Sequence, residues 1–229
     1  MNLLRRASSR YKQQLASSPF KLKLKHRIPN KRFLMSKLNM SNFILAALTT
    51  ILLTGCASSP DSRYYLLSAK NDGIQSSLSA NPTIMIAPVN VPSYIRRNEI
   101  VFRTDSNTVT VNQHDRWAER LDKNIADVLS ENLTQHLSSS TVFTEDSNFV
   151  TRPDIRIHID INQFGLMASG QVTLSVSWEI NDRKNNTTQL FSDLFTLRPE
   201  SNSVVDIVAA MSAVLAELSV SISQKLTEA

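Results

Sequence analysis

The sequence predicts an α+β domain in which antiparallel strands form one or two sheets and two long helices pack on one face. Residues 154–161 and 172–180 alternate strictly between apolar and polar side chains, a pattern typical of strands with one buried and one wet face. Residues 116–137 and 203–226 instead repeat apolar side chains every three to four positions, which is the spacing of an amphipathic helix. Helices of this kind need an apolar sheet face to cover, which favours a layered α+β fold.

Strands of the N-terminal half are predicted from β-branched and aromatic runs that end at turn residues. Such runs cover residues 64–68 and 83–91. Residues 99–103 and 108–113 flank Asp105-Ser106-Asn107, so we expect them to pair as a hairpin. The N-terminal half therefore supplies four strands before the first helix.

The first helix is predicted from about Arg116 to Leu137, with Asp115 as its N-cap. Trp117 opens its apolar stripe and is most simply a core residue, with a binding role as the alternative. Asn132 lies within the same stripe, where its amide would satisfy a buried backbone group. A short strand over residues 141–144 follows. The other apolar members of the stripe are Leu121, Ile125, Val128, Leu129 and Leu133.

Three strands and a long helix make up the C-terminal half. The two alternating strands are followed by residues 190–197, which are apolar on both sides and are therefore predicted to be covered on both faces. Ser203 and Asp206 resemble a capping box with aspartate in place of glutamate, so we expect the last helix to begin there. One apolar stripe then follows that helix to its end: Val204, Val208, Met211, Leu215, Leu218, Ile222 and Leu226.

Residues 53–56 read Leu-Thr-Gly-Cys, and Cys56 is the only cysteine of the chain. They close an apolar stretch, residues 43–53, that follows a basic segment, which is the layout of a secretory signal. The run resembles the lipobox of bacterial lipoproteins, which implies a diacylglycerol on the Cys56 sulfur and an acyl chain on its new amino terminus. Eleven residues at about 1.5 Å each cover roughly half of a hydrocarbon core, so the stretch is too short to span a membrane. A buried structural cysteine is the alternative.

These signals divide the chain into three parts. Residues 1–55 are predicted to be an N-terminal extension and a lipoprotein signal peptide that is cleaved. Residues 56–62 are small and polar and are predicted to be a lipidated tether. Residues 63–229 show no repeat and no second composition regime, so they are predicted to form one α+β domain.

The N-terminal extension is long for a signal. Residues 1–42 contain eleven Lys or Arg residues and no acidic residue, whereas a typical signal is about 15–30 residues in all. Met35 or Met40 would give a signal of ordinary length, so each is an alternative start to Met1.

Removal of the leader reverses the charge of the protein. The whole chain has a formal net charge of +5, but the 25 Lys and Arg residues fall to fourteen once the eleven of the leader are lost, against twenty Asp and Glu. The mature part is therefore about −6. Because an acidic domain offers no positive surface to a phosphate backbone, nucleic acid is excluded as a partner. With its single cysteine lipidated, the domain forms no disulfide.

Glycine-dependent catalytic motifs cannot be built from this chain. The glycines after Cys56 are Gly73, Gly165 and Gly170, which are too few and too dispersed for a dinucleotide loop, a Walker loop or a hydrolase nucleophile elbow. No free thiol is left for nucleophilic catalysis. We therefore predict that the protein is not an enzyme and has no cofactor beyond its covalent lipid.

Three histidines follow the predicted cleavage point, and none is paired at a metal-binding spacing. His114, His136 and His158 lie on separate predicted elements. A metal site is therefore not predicted. His158 lies between Arg156 and Asp160 on the polar strand face, where we expect a solvated cross-strand ion network.

Four segments are more specific than a generic α+β domain requires. Residues 91–102 place a proline, a tyrosine and two arginines before a strand, and residues 116–122 read Arg-Trp-Ala-Glu-Arg-Leu-Asp. Residues 129–133 read Leu-Ser-Glu-Asn-Leu, and residues 64–67 read Tyr-Tyr-Leu-Leu shortly after the cysteine. Together these segments resemble the PqiC/YmbA family, which comprises the outer-membrane lipoprotein partners of MCE-type lipid transport systems, also called ABC-type transport auxiliary components.

The resemblance implies an outer-membrane lipoprotein that docks the periplasmic end of an MCE-type assembly to that membrane. Ala57, rather than aspartate, follows the cysteine, which in Gram-negative lipoproteins implies the outer membrane, with the domain facing the periplasm. The expected partners are an MCE-domain protein and its associated inner-membrane components. Aromatic and arginine side chains are enriched at binding hot spots, so Tyr94, Arg96 and Arg97 are the candidate contacts. Homo-oligomerisation is left open.

Two other functions are compatible with the sequence. The first is a lipid-binding carrier that holds an acyl chain between sheet and helices, with Trp178, Phe191 and Phe195 as candidate lipid contacts. The second is a structural lipoprotein of envelope assembly.

Overall fold

The computed structural model describes residues 61–70, 78, 81–148 and 152–228. These residues belong to one compact unit, Ser59–Ala229. Cys56, the predicted site of lipid attachment, lies outside the described residues, as do the predicted signal and the start positions Met1, Met35 and Met40.

The described residues form eight strands and two helices. In chain order they are β1 Arg63–Tyr65, β2 Thr83–Ile86, β3 Glu99–Arg103, β4 Val109–Trp117, α1 Leu121–His136, β5 Thr141–Thr144, β6 Ile155–Leu166, β7 Val172–Asp182, β8 Thr187–Leu197 and α2 Val204–Glu228.

The strands form two mixed sheets, so the α+β class is confirmed but the expectation of antiparallel sheets is corrected. One sheet has the order β1-β4-β3 and the other β5-β2-β6-β7-β8. The hairpin β3–β4 and the meander β6–β7–β8 are antiparallel. The pairs β1–β4, β2–β5 and β2–β6 are parallel. Each parallel partner is reached through intervening elements, and such a crossover returns the chain in the same direction, which a short turn cannot do.

Both helices pack against the five-stranded sheet and against each other. Helix α1 contacts β2, β5 and α2, and helix α2 contacts β6, β7 and β8. The alternation predicted for residues 154–161 and 172–180 is confirmed, since the isoleucines of β6 and the apolar residues of β7 are buried. One hydrophobic cluster unites these side chains with both helices. Burial on this one face therefore holds the layers together.

Helix α1 begins at Leu121, about one turn later than predicted. Asp115 and Trp117 belong to strand β4, so the prediction of Asp115 as N-cap is wrong. The Trp117 amide donates to the Asn98 carbonyl at 2.7 Å, and Trp117 lies in register with Tyr65 of β1. These pairings to distant residues outweigh the local helical spacing. Trp117 is buried, as its interpretation as a core residue requires.

Strand β8 has an exposed outer face, which corrects the prediction that both of its faces are covered. Its inner face packs under α2, whereas Leu190 and Leu194 on the outer face are 77% and 67% exposed. Apolar residues occupy both faces, as the sequence indicates, but no described element covers the outer one. β8 is also an edge strand, since only β7 pairs with it among the described residues.

Helix α2 is capped at its N-terminus by Ser203, whereas Asp206 does not complete the predicted capping box. The Asp206 amide donates to Ser203 Oγ at 3.2 Å, as a capping box requires. The Asp206 carboxylate accepts the Ser201 hydroxyl instead of the Ser203 amide, and hydrogen bonds from Ser201 and Ser203 lower the pKa of Asp206. By length and composition α2 could also cross a membrane. Its predicted apolar stripe is buried from Val208 onward, so we interpret α2 as a core helix.

Candidate docking site

A turn between β2 and β3 holds the three candidate contact residues. We call residues 91–97 the docking turn. The Ile95 amide donates to the Pro92 carbonyl at 3.1 Å, and the Arg96 amide donates to the Ser93 carbonyl at 3.3 Å. Val91 and Ile95 are buried in the core, and Tyr94 is half-buried against it. The buried side chains therefore anchor the turn in the core, and its two arginines are exposed.

Arg96 is exposed and is held by the segment that enters the turn. Its Nη2 donates to Asn90 Oδ1 and to the Val91 carbonyl, both at 2.9 Å. Asn90 Nδ2 in turn donates to Asp160 Oδ1 at 2.9 Å, and the backbone of Asn90 bridges to β6. The guanidinium is consequently positioned by the five-stranded sheet.

Arg97 is exposed and forms a surface ion pair. Its Nε lies 2.9 Å from Glu99 Oε2, and this hydrogen bond lowers the pKa of Glu99. Glu99 lies in register with Arg116 of β4. Because exposed pairs of this kind contribute at most about 1 kcal/mol, Arg97 can exchange Glu99 for another carboxylate at little cost.

Strand β1, which follows the predicted tether, is joined to β4 of the three-stranded sheet by side-chain contacts. Buried Asp115 of β4 accepts hydrogen bonds from Tyr65 Oη at 2.8 Å and from Asn112. Arg63 adds a two-pronged contact, with Nε 2.8 Å from Oδ1 and Nη2 3.2 Å from Oδ2. Burial raises the pKa of Tyr65, and its hydrogen bond to Asp115 raises it further. Asp115 therefore joins β1 to β4, in the sheet whose strand β3 follows the docking turn.

Beyond β1 the chain crosses both helices. We call residues 67–70 the crossing segment. The amides of this segment donate to side chains that interrupt the apolar faces of the two helices, and Asn132 links the helices through Ser219 at 3.2 Å. The three donations are Leu67 to Asn124 Oδ1 at 2.8 Å, Ser68 to Ser212 Oγ at 3.2 Å and Lys70 to Asn132 Oδ1 at 2.9 Å.

Asn132 accepts from a backbone amide, as predicted, but that amide belongs to the exposed residue Lys70. The sequence interpretation missed Asn124, Ser212 and Ser219. The signal that could have found them is their spacing, since each is a buried polar residue on the apolar face of a helix and such residues need partners. The partner could not be identified because it lies more than fifty residues away.

The alternative lipid-contact residues lie at the edge of the core near β8. The rings of Trp178 and Phe191 stack with centroids 4.2 Å apart, and Trp178 Nε1 donates to Asp193 Oδ2 at 2.8 Å. Ser221 of α2 donates to the same oxygen at 3.2 Å. Phe195 is half-buried further along the strand. The indole is thus already enclosed by protein side chains.

The polar face of the five-stranded sheet contains a cross-strand pair, with partners other than those expected. His158 Nε2 lies 3.9 Å from Glu179 Oε1 on β7. Arg156 pairs instead with Glu145, and Asp160 with Asn90. Within residues 61–70, 78, 81–148 and 152–228, no three His, Cys, Asp or Glu side chains come together as metal ligands would.

A domain with two helices and two mixed sheets recurs in solved structures. A crystal structure of an uncharacterised protein matches it with a TM-score of 0.62 at 19% identity, over 72% of this chain and 99% of that one. A crystal structure of a protein from Xanthomonas campestris matches with a TM-score of 0.57 at 12% identity, over 72% and 95% of the two chains. These likenesses define the fold class.

The chain belongs to the ABC-type transport auxiliary lipoprotein component family, whose model matches residues 65–223. The predicted family is therefore confirmed. The intermembrane transport lipoproteins PqiC of Escherichia coli K12 and of Shigella flexneri are each 25% identical to it over 139 residues, covering 60% of this chain and 73% of theirs.

Proposed function

We propose that this protein is the outer-membrane component of an MCE-type intermembrane lipid transport system and docks the periplasmic assembly to that membrane. Family membership and the likeness to an intermembrane transport lipoprotein support the transport role. The observation that supports docking most directly is the docking turn, which presents the exposed arginines Arg96 and Arg97 from a backbone anchored in the core. The domain faces the periplasm, and its partner is the MCE-domain protein with its inner-membrane components.

In this role the domain catalyses no reaction. Its relatives are transport auxiliary lipoproteins, and the covalent diacylglycerol and acyl chain on Cys56 are its anchor rather than a cofactor. Nucleic acid is not a partner, given the negative charge of the mature chain.

The carrier function is the principal alternative, with a structural role in envelope assembly as the other. A carrier would need Trp178, Phe191 and Phe195 to line a space for an acyl chain. Trp178 instead stacks on Phe191 and bonds to Asp193, which favours docking over carriage. Lipid extraction from the purified protein separates the two, since a carrier would retain stoichiometric phospholipid.

Replacement of Cys56 with alanine is expected to abolish lipidation. The leader-proximal Leu-Thr-Gly-Cys run supplies the only thiol that can accept a diacylglycerol. Labelled palmitate should enter the wild type and not Cys56→Ala, and the wild-type chain should begin at Cys56 by mass spectrometry. Equal labelling of both chains, or membrane-bound protein that still begins at Met1 or Met35, would contradict the assignment.

Replacement of the docking-turn contacts is expected to weaken capture of the MCE-domain protein. Truncating Tyr94, Arg96 and Arg97 to alanine removes one aromatic ring and two guanidinium groups, and hot-spot side chains typically contribute about 2 kcal/mol or more each. Three such contributions total about 6 kcal/mol or more, so the affinity should fall by about 10⁴-fold and capture in a pull-down with full-length lipoprotein should be lost.

The matched control removes two exposed arginines elsewhere, Arg152 and Arg183. Its capture should equal that of the wild type. Because Tyr94 packs partly against the core, each variant also needs a thermal melt, and Arg96→Ala/Arg97→Ala alone tests docking with the core intact. Undiminished capture by the triple variant, together with bound phospholipid in the pure protein, would favour the carrier.

A further inference from the structure

Strand β8 presents a long open edge with apolar side chains on both faces. Thr187–Leu197 pairs with β7 on one side, and no described strand pairs with its other side. Leu190 and Leu194 project from the outer face, and Phe191 and Phe195 remain half-buried on the inner face. An open edge of this length is usually blunted by lysine, proline or a bulge, because its free amides and carbonyls pair readily with another strand. β8 contains neither lysine nor proline, and its pairing with β7 is uninterrupted. Its one charged residue, Asp193, faces inward and accepts from Trp178 Nε1 and Ser221 Oγ.

A cleft beside Leu190 has an acidic lining, which suits a basic ligand. It lies on the outer face of β6 and β7 and includes the carboxylates Asp160 and Glu179. Among the described residues that line it there is one histidine, His158, and no Lys or Arg. The cleft therefore favours a cationic side chain, and Leu190 adds an apolar wall to it.

This cleft is continuous with the docking turn. Asn90 lines the cleft, donates to Asp160 and accepts from Arg96 Nη2. One surface thus runs from the exposed arginine of the turn, across the carboxylates, to the two leucines of the edge strand.

We propose that β8 binds an extended segment of the protein partner as an added strand of the five-stranded sheet. The segment has two apolar side chains four residues apart, which lie against Leu190 and Leu194, and a Lys or Arg that enters the cleft of Asp160 and Glu179. Main-chain hydrogen bonds at the open edge supply affinity, and the alternate side chains supply specificity. That the segment belongs to the MCE-domain protein rests on the proposed function.

The charge of the surface favours this occupant over two others. A second copy of the chain paired edge to edge would bring an identical pair of carboxylates to the interface and no added cation. An anionic lipid headgroup would likewise meet Asp160 and Glu179. A basic extended segment complements both features of the surface.

The test measures capture of the cognate MCE-domain protein by full-length lipoprotein variants. Leu190→Ser/Leu194→Ser should reduce capture about tenfold or more, since two exposed leucines lose their apolar contact. Val205→Ser is the matched control, because Val205 is 63% exposed on α2, away from this surface, and its capture should be unchanged. Glu179→Gln should weaken capture and reduce its sensitivity to salt, and it leaves intact the bond of Asn90 to Asp160 that positions Arg96.

A photoreactive residue at position 192 identifies the occupant. It should crosslink to one segment of the partner that contains a Lys or Arg between apolar residues. Crosslinks to a second copy of this chain or to lipid, or unchanged capture by the double-leucine variant, would overturn the inference. If the docking-turn variant alone loses capture, this inference fails and the proposed function survives. If wild-type protein captures no MCE-domain protein, both fail.

Discussion

Truncation of the chain after Val214 is expected to abolish cooperative folding of the domain. The lost half of α2 contributes four large apolar side chains to the core: Leu215, Leu218, Ile222 and Leu226. Burial of each contributes about 1.5–3 kcal/mol, so the loss is about 6–12 kcal/mol. Typical domains are stable by only about 5–15 kcal/mol, so most or all of the free energy of unfolding is removed. The truncation also exposes the apolar faces of β6 and β7 to water.

Thermal and urea unfolding of the domain from Ser62, followed by circular dichroism, provides the measurement. The untruncated domain should unfold in one transition without any disulfide. Removal of only the residues after Leu226 is the control, because Thr227 and Glu228 are exposed and should contribute little. A chain ending at Val214 that melts like the untruncated domain would show that α2 is not part of the core.

Replacement of Asp115 with alanine is expected to destabilise the domain by about 2–4 kcal/mol and to release β1 from β4. The side chain of Asp115 is only 2% exposed, and its loss leaves Tyr65 and Asn112 without their acceptor. Breaking a buried pair typically costs about 3–5 kcal/mol. The lower value expected here reflects Arg63, whose side chain is 67% exposed and can be rehydrated.

Hydrogen exchange distinguishes release of the strand from general destabilisation. The Ala118 amide donates to the Tyr65 carbonyl at 2.9 Å, so its exchange should accelerate more than that of the central amides of β7. Asp127→Ala is the control, since Asp127 forms an exposed pair with Lys123 that contributes at most about 1 kcal/mol. Equal effects of the two substitutions on stability would show that Asp115 does not fasten β1.

Periodicity located most of the elements correctly. Residues 141–144 match β5, and the alternation over 154–161 and 172–180 matches the buried faces of β6 and β7. The capping residue Ser203 and the stripe that follows it match α2. These features depend on side-chain spacing within one element, so the sequence of that element contains the necessary information.

The candidate site was predictable in position but not in its contacts. Pro92 and the adjacent residues indicated an exposed turn, and the fold exposes Arg96 and Arg97 there, whereas Tyr94 is half-buried against the core. The bonds of Arg96 to Asn90 and of Asn90 to Asp160 join residues up to seventy positions apart. No local pattern contains such a pairing.

The α+β class and the apolar faces of the long elements could be read from residue spacing alone, because they depend on side chains within one element. The family was indicated by the resemblance of residues 64–67, 91–102, 116–122 and 129–133 to its members. Tertiary structure decided the parallel pairing of β2 with β5 and β6, the edge position of β8 and the membership of Trp117 in β4. A strand's direction and neighbours depend on how distant segments compete for the same backbone hydrogen bonds, and that competition is settled only when the whole sheet assembles.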